Sequence, residues 1–245
     1  MRALPAIWSQ DLETTEGGLR LAEQAIKLDP SYALPKAVAG WCYAQRLSYL
    51  RTKDLNADRA QAVTLARDAA RIDDNDPLVL TCAGAAYSIA SEYPRAQALI
   101  AKALALDPNS AWAWHRSGWL HAYIRQPDTA IQHLERAMRL SPVDPLMFNV
   151  FIGIGAAHFE KEEYDKAAQW IEKGLSEKPD ALWAFRLLSA SYFYAGRTEE
   201  ARRTFAAFGK AFPGLTVRSL LDRTPGSDFI KAKFGDAFRA LGLPG

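Results

Sequence analysis

The chain has 245 residues, 49% of them hydrophobic and 24% charged, with 30 basic against 28 acidic side chains and a formal charge of +2. That balance belongs to a folded chain rather than a disordered one, and the charge is too small and too evenly spread for a nucleic-acid or anionic-membrane surface. No run reaches the roughly 20 apolar residues of a membrane span, and the opening MRALPAIWSQDLETTEGG lacks the apolar core and cleavage site of a secretory signal.

In chain order, residues 16–28 (EGGLRLAEQAIKL) predict an amphipathic helix stopped by Asp29-Pro30. It reads as the second helix of a pair, with Gly18, Ala22 and Ala25 in small-residue positions. Its partner must fit into the few residues upstream, among Pro5, Ser9 and Asp11, so the unit at 12–30 is partial. An uncapped end exposes apolar surface, which points to a longer protein or to another contact covering that end.

The next unit, 31–76, opens with a helix carrying Ala39, Gly40 and Tyr43. Its second helix, with Ala62, Ala66 and Ala69, arrives late behind RTKDLNADR, a longer loop or an extension of both helices. Units 77–110 and 111–144 then repeat at a period of 34 residues. Leu80, Ala83, Gly84, Tyr87, Ala96, Ile100, Ala103 and Pro108 recur as Trp114, Ser117, Gly118, His121, Ala130, Leu134, Ala137 and Pro142. A glycine repeated inside a helical pattern costs about 1 kcal/mol relative to alanine, so a close helix–helix contact is its reason. The prolines end each second helix, having no amide hydrogen to continue it. Unit 145–179 keeps the pattern through Phe151, Ile154, Gly155, His158, Ala167 and Ile171. Unit 180–213 replaces the glycine by Ser189 and adds Phe205 and Phe208. Residues 214–245 fit no repeat. They predict a short helix at VRSLLDRT, a Pro225-Gly226 turn and an amphipathic helix carrying Phe229, Phe234, Phe238 and Leu241, together a cap on the last unit.

These offsets resemble the tetratricopeptide repeat, most closely at Trp114, Gly118, Ala130, Leu134, Ala137 and Pro142. The resemblance implies an all-α, right-handed α-solenoid of helix pairs with a C-terminal capping helix, about twelve to fourteen helices in one domain. More narrowly, AIKLDPSYALPKAVAGWCYA, AMRLSPVDPLMF and FGDAFRALGLPG are similar to the repeat region following the catalytic domain of bacterial class III adenylate/guanylate cyclases, a region also found after DNA-binding domains of related regulators. That resemblance implies a regulatory or scaffolding segment of a larger signalling protein and transfers no catalytic residue.

No phosphate loop, HExxH, CxxC or GxSxG motif is present. His121 and His158 stand where the repeat has tyrosine and read as half-buried, hydrogen-bonded side chains. Cys42 and Cys82, each alone among alanines and aromatics, read as buried free thiols, with a cytoplasmic setting as the default. No catalytic residue, cofactor or metal ligand is expected.

First helices of such a stack line a concave face. The side chains predicted to project into it include Trp41, Trp112, His115, Trp119, Tyr123, Asn149, Phe159, Trp183, Arg186, Phe193 and Tyr194. The face is aromatic and poor in cations, so a clamp for a peptide carboxylate is not expected, whereas an apolar peptide or helix suits it. Trp114 and Phe185 are expected in the core between paired helices instead. Three uses of the rings remain open: a partner groove for a protein or peptide, internal packing, and self-association. An enzyme with an unrecognised pocket and a DNA-associated regulator are the other function classes, with neither nucleic acid nor membrane as the expected partner.

Overall fold

A computed structural model describes residues 3–8 and 12–245. Helices come in pairs, and among the described residues there is no strand. A four-residue α1 (Pro5–Trp8) precedes α2 (Leu12–Leu28). The pairs that follow are α3 (Ala33–Ser48) with α4 (Leu55–Ile72), α5 (Pro77–Ile89) with α6 (Tyr93–Leu106), and α7 (Ala111–Tyr123) with α8 (Pro127–Leu140). Then come α9 (Met147–Glu160) with α10 (Tyr164–Glu177), and α11 (Phe185–Tyr194), entered through a 3-10 turn at Leu182–Ala184, with α12 (Thr198–Ala211). The chain ends with α13 (Val217–Asp222) and α14 (Asp228–Ala240). The expected turns at Pro225-Gly226 and before each unit are where the sequence puts them. Ser9 and Asp11 lie outside the described residues.

Local chemistry sets the helix starts. Asp54, Asp76 and Ser110 cap α4, α5 and α7 through side-chain oxygens that accept backbone N–H groups two or three residues on. Pro77 follows its cap at the first helical position, where a missing N–H costs nothing.

The repeated glycines are where paired helices touch. A Cβ on Gly84 would lie 2.6 Å from Ile100 Cγ1, one on Gly155 2.6 Å from Ile171 Cγ1, and one on Gly118 inside the Leu134 side chain. In each case the neighbour is the large residue on the second helix of the same pair. Alanines 96, 130 and 167 beside them are wholly buried, so the two backbones approach closely at one level in each of these three units.

The long connection in the second unit is an extension of both helices as well as a longer loop: α3 has 16 residues and α4 has 18, against 13 and 14 in α5 and α6. It is not idle surface. Tyr49, just past α3, packs with its ring centroid 5.3 Å from that of Trp183 of the sixth unit, and Tyr49, Leu50 and Arg51 share one cleft with Leu182 and Phe212. The second and sixth units therefore meet.

The last segment caps the stack and does more. Phe238 of α14 stacks on Phe205 at 5.5 Å and Phe208 at 6.4 Å, covering the aromatic second helix of the sixth unit. On the way there the chain crosses back over the stack. Arg59 of α4 donates to the Asp222 carbonyl at 2.8 Å, and the Gly226 N–H donates to the Tyr93 hydroxyl at 2.8 Å. Ser227 donates to Glu160 at 2.9 Å, and Lys233 pairs with Glu162 at 3.1 Å. Residues 214–245 are thus a strap reaching from α4 to α12.

Opposite signs are expected at two glycines. Gly155→Ala forces a methyl against Ile171 and the Ala167 carbonyl, an overpacking of about 1–3 kcal/mol that outweighs the helix-propensity gain of about 1 kcal/mol. Gly209 has nothing within 4 Å of an added Cβ, so Gly209→Ala is stabilising by about 0.5–1 kcal/mol. Urea unfolding of both variants checks the pair; a gain in stability for Gly155→Ala contradicts the close-contact account.

Candidate functional site

The inner face is built by first helices, and its rings meet one another. Trp41 of the second unit lies edge-on to Trp112 of the fourth at 6.1 Å, and Trp119 of the fourth lies 6.4 Å from Trp183 of the sixth. Each contact skips a unit. Trp41 and Trp119 stand at the same offset from their repeat glycine, and the units they skip carry Ala85 and Ala156 there. A small residue leaves the ring room to pass. Gly153 adds to this: a Cβ there would lie 3.1 Å from the Trp119 indole, a contact tight enough that the ring would have to shift away from α9.

The consequence is burial. Trp41, Trp119 and Trp183 are 3%, 6% and 6% exposed, and Trp112, His115 and Asn149 are buried with them. Trp114 and Phe185, expected to be the buried pair, are the partly exposed ones. The Trp114 ring meets His133 of α8 at 4.8 Å, so it does pack within its pair, but at a partly exposed edge, where its indole N–H also donates to the Pro108 carbonyl at 2.8 Å and braces the turn between units. The chain curls tightly enough that the inner rings become core, and the outer edge keeps the solvent.

Of the residues expected on this face, Trp41, Trp119, Tyr123, Asn149, Trp183 and Arg186 line one cavity of about 40 Å³. Phe159 is fully buried under the strap, 5.7 Å from Phe234. Tyr194 stacks on Tyr164 at 5.0 Å and donates to the Lys233 carbonyl at 2.9 Å, with Phe193 beside it at 5.1 Å. Trp112 and His115 border a neighbouring hollow with Leu146 and Val150. The strap supplies the cavity's remaining wall through Thr224, Pro225, Gly226, Ile230 and Phe234.

Polar groups thread this aromatic floor. Asn149 Oδ1 accepts from Trp119 Nε1 at 2.6 Å and meets His115 Nε2 at 2.8 Å. An oxygen accepting from both requires the hydrogen on His115 Nε2. His115 is fully desolvated and lies beside Arg116, which together push its pKa down to about 3. Two arginines share the cavity. Arg116 lies 4.6 Å over Trp41, and Arg186 lies 6.0 Å over Trp183. Burial lowers the pKa of both, that of Arg186 to about 10, and a guanidinium in a protein stays protonated at neutral pH. Tyr49 and Tyr123 face them and stay neutral, since burial pushes both hydroxyls up, Tyr123 to about 12.

Arg116 is the residue that repeat register does not reveal, because its offset carries Gly153 and Leu187 in the next two units. One signal was available. Neither α7 (AWAWHRSGWLHAY) nor α11 (FRLLSASYFY) contains an acidic residue, so each arginine is a cation with no partner on its own helix. The face is less poor in cations than the offsets imply.

The other polar clusters are structural. His158 Nδ1 contacts Glu163 Oε2 at 2.6 Å, and Ser117 Oγ contacts His133 Nδ1 at 3.0 Å with the His121 ring 4.8 Å from His133. His133 is a weak base, its pKa lowered to about 4 by burial and by His121. Among the described residues no group of three or more His, Cys, Asp or Glu side chains could hold a metal, and no helix is long and apolar enough to cross a membrane. Cys42 and Cys82 are buried and free.

The family model described as tetratricopeptide repeat matches residues 99–132, running from the second helix of one unit to that of the next. No curated protein matches. Among solved structures, PilW, a type IV pilus biogenesis factor, is 21% identical with a TM-score of 0.58, over 81% of this chain and 87% of its own. PilF of Pseudomonas aeruginosa is 21% identical with a TM-score of 0.54, over 84% and 90%. The APC/C hetero-tetramer Cut9–Hcn1 is 14% identical with a TM-score of 0.62, over 93% of this chain and 39% of that one. These likenesses support a helix-pair solenoid of the tetratricopeptide type. The narrower resemblance to cyclase-associated repeat regions has no counterpart among them.

Two measurements follow from burial. Trp119→Ala should cost about 3–5 kcal/mol, as for a core tryptophan, and Trp114→Ala clearly less; equal urea midpoints for the two contradict the skipped-unit packing. His115 binds fewer protons folded than unfolded, because its folded pKa lies below 6.5. Stability should therefore fall as pH drops below about 6.5 toward 3, by up to about 1.4 kcal/mol per pH unit from this group. His115→Gln should flatten that slope in unfolding curves between pH 7 and 4.

Proposed function

We propose that this tetratricopeptide-type α-solenoid is a protein-binding scaffold whose inner face receives an amphipathic, aromatic-bearing helix. The observation that carries the reading is α14. Its Ile230, Phe234 and Phe238, spaced four apart on one face, enter the rim formed by Phe159, Tyr194, Phe205 and Phe208 and close over the floor of Trp41, Trp119 and Trp183. A face shaped for one such helix is shaped for another, the groove mode in which i and i+4 anchors supply affinity. Trp112, His115, Tyr123, Asn149, Arg186 and Phe193 support or flank that floor. The contact surface is the rim, and a partner helix reaches the floor by replacing α14.

The test keeps the full chain through folding. A protease site is placed at the Pro225-Gly226 turn, the folded protein is cut, and a labelled synthetic peptide of residues 227–245 is added. The peptide should exchange with its unlabelled counterpart on the cut chain. Phe234→Ala or Phe238→Ala in the peptide should weaken binding about thirtyfold, the loss of an anchor of about 2 kcal/mol. A cut chain that keeps its helical circular dichroism yet accepts no peptide, or accepts the alanine peptides equally well, removes the reading.

A further inference from the structure

The cavity between the inner face and the strap holds more positive charge than its walls neutralise. Arg116 and Arg186 are 4% and 7% exposed, and both line it. Arg116 Nε and Nη2 and Arg186 Nη1 are buried without a hydrogen-bond partner. Leaving such donors unmet is costly, more so when they are charged. Among the described residues no carboxylate pairs with either guanidinium. Glu160, the one acid bordering the cavity among the described residues, accepts through Oε1 from Ser227 at 2.9 Å, while its Oε2 is buried without a hydrogen-bond partner and lies 3.7 Å from Arg125 Nε, so it leaves at least one of the two guanidinium charges without a counter-charge in the cavity wall. The nearby tyrosine hydroxyls are neutral, and the Tyr123 hydroxyl bonds Arg116 without offsetting its charge.

We propose that this cavity is a binding site for a small carboxylate, held between Arg116 and Arg186 beneath the strap. Two features select that class. Nε and Nη2 form the side-on edge of the guanidinium, whose parallel N–H groups match the two oxygens of one carboxylate. A volume of about 40 Å³ admits a group of acetate size and rejects a sugar acid. Thr224, Gly226, Ile230 and Phe234 close the site, and the bound carboxylate links the fourth unit to the sixth beneath them. The carboxylate is a free small acid or an acidic side chain threaded in from a partner. The site goes beyond the helix-binding reading and stands whether or not a partner replaces α14.

The test is thermal unfolding of the full chain at fixed ionic strength, with sodium acetate replacing sodium gluconate, and with chloride, acetamide and the peptide acetyl-Ala-Ala-Asp-Ala-Ala-amide as comparators. Acetate should raise the midpoint in a saturable way, by roughly 3–6 °C at ten times its half-saturating concentration. Chloride and acetamide should not. Acetate acting alone identifies a free acid; the peptide acting as well identifies an accessible side-chain source, and either outcome supports the site. Arg116→Met and Arg186→Met, tested separately so that one misfolded variant leaves the other, should each abolish the acetate response, with gluconate midpoints no lower than that of the native chain, since methionine removes an uncompensated buried charge. Identical midpoints in acetate, chloride and gluconate, or an acetate response that survives in a folded methionine variant, overturn the proposal.

Discussion

Contacts between units that are not neighbours govern this structure. A helical solenoid ordinarily builds its stability from each repeat touching the next. Here Trp41 meets Trp112, Trp119 meets Trp183 and Tyr49 meets Trp183, so the second, fourth and sixth units are joined across the inner face. Alanine and glycine in the units between make this possible, at Ala85, Ala156 and Gly153. Each tryptophan fully buried in this way contributes on the order of several kcal/mol, which is ample to hold the stack tightly curled.

Curling has an electrostatic consequence. Side chains on an open concave face keep their hydration, but those on a closed one lose it. His115 becomes a group that resists protonation, and Arg116 and Arg186 become cations with unmet donors. Aromatic faces compensate in part, through Arg116 over Trp41 and Arg186 over Trp183. They do not supply the in-plane acceptors that the guanidinium edges require.

The strap ties these two themes together. Its aromatic half covers Phe205 and Phe208, the role of an end cap, while its turn is held by Tyr93 and its first helix by Arg59, far along the stack. Closing the inner face and capping the last unit are therefore performed by one segment. Anything that loosens α14 opens both the cap and the cavity.

The helix pairs are legible in the amino-acid sequence alone. The recurrence of glycine, alanine and proline at one period is a local signal, since each residue acts on its own helix or its partner a few residues on; Gly84 against Ile100 and Gly155 against Ile171 are the contacts that spacing implies. It also placed Trp41, Trp119, Asn149, Trp183 and Arg186 on one face, because helical periodicity fixes direction. Whether that face is open or closed was decided only by tertiary structure. Curvature accumulates from small rotations between units, and no single residue encodes it. Trp119 and Trp114 look alike in sequence, yet one is core and the other a brace at the edge, because the fate of a side chain on the inner face depends on units two repeats away. Arg116 was hidden for the same reason. Its offset matches nothing in neighbouring units, and its neighbours in space, Trp41, Tyr49 and the strap, come from distant parts of the chain.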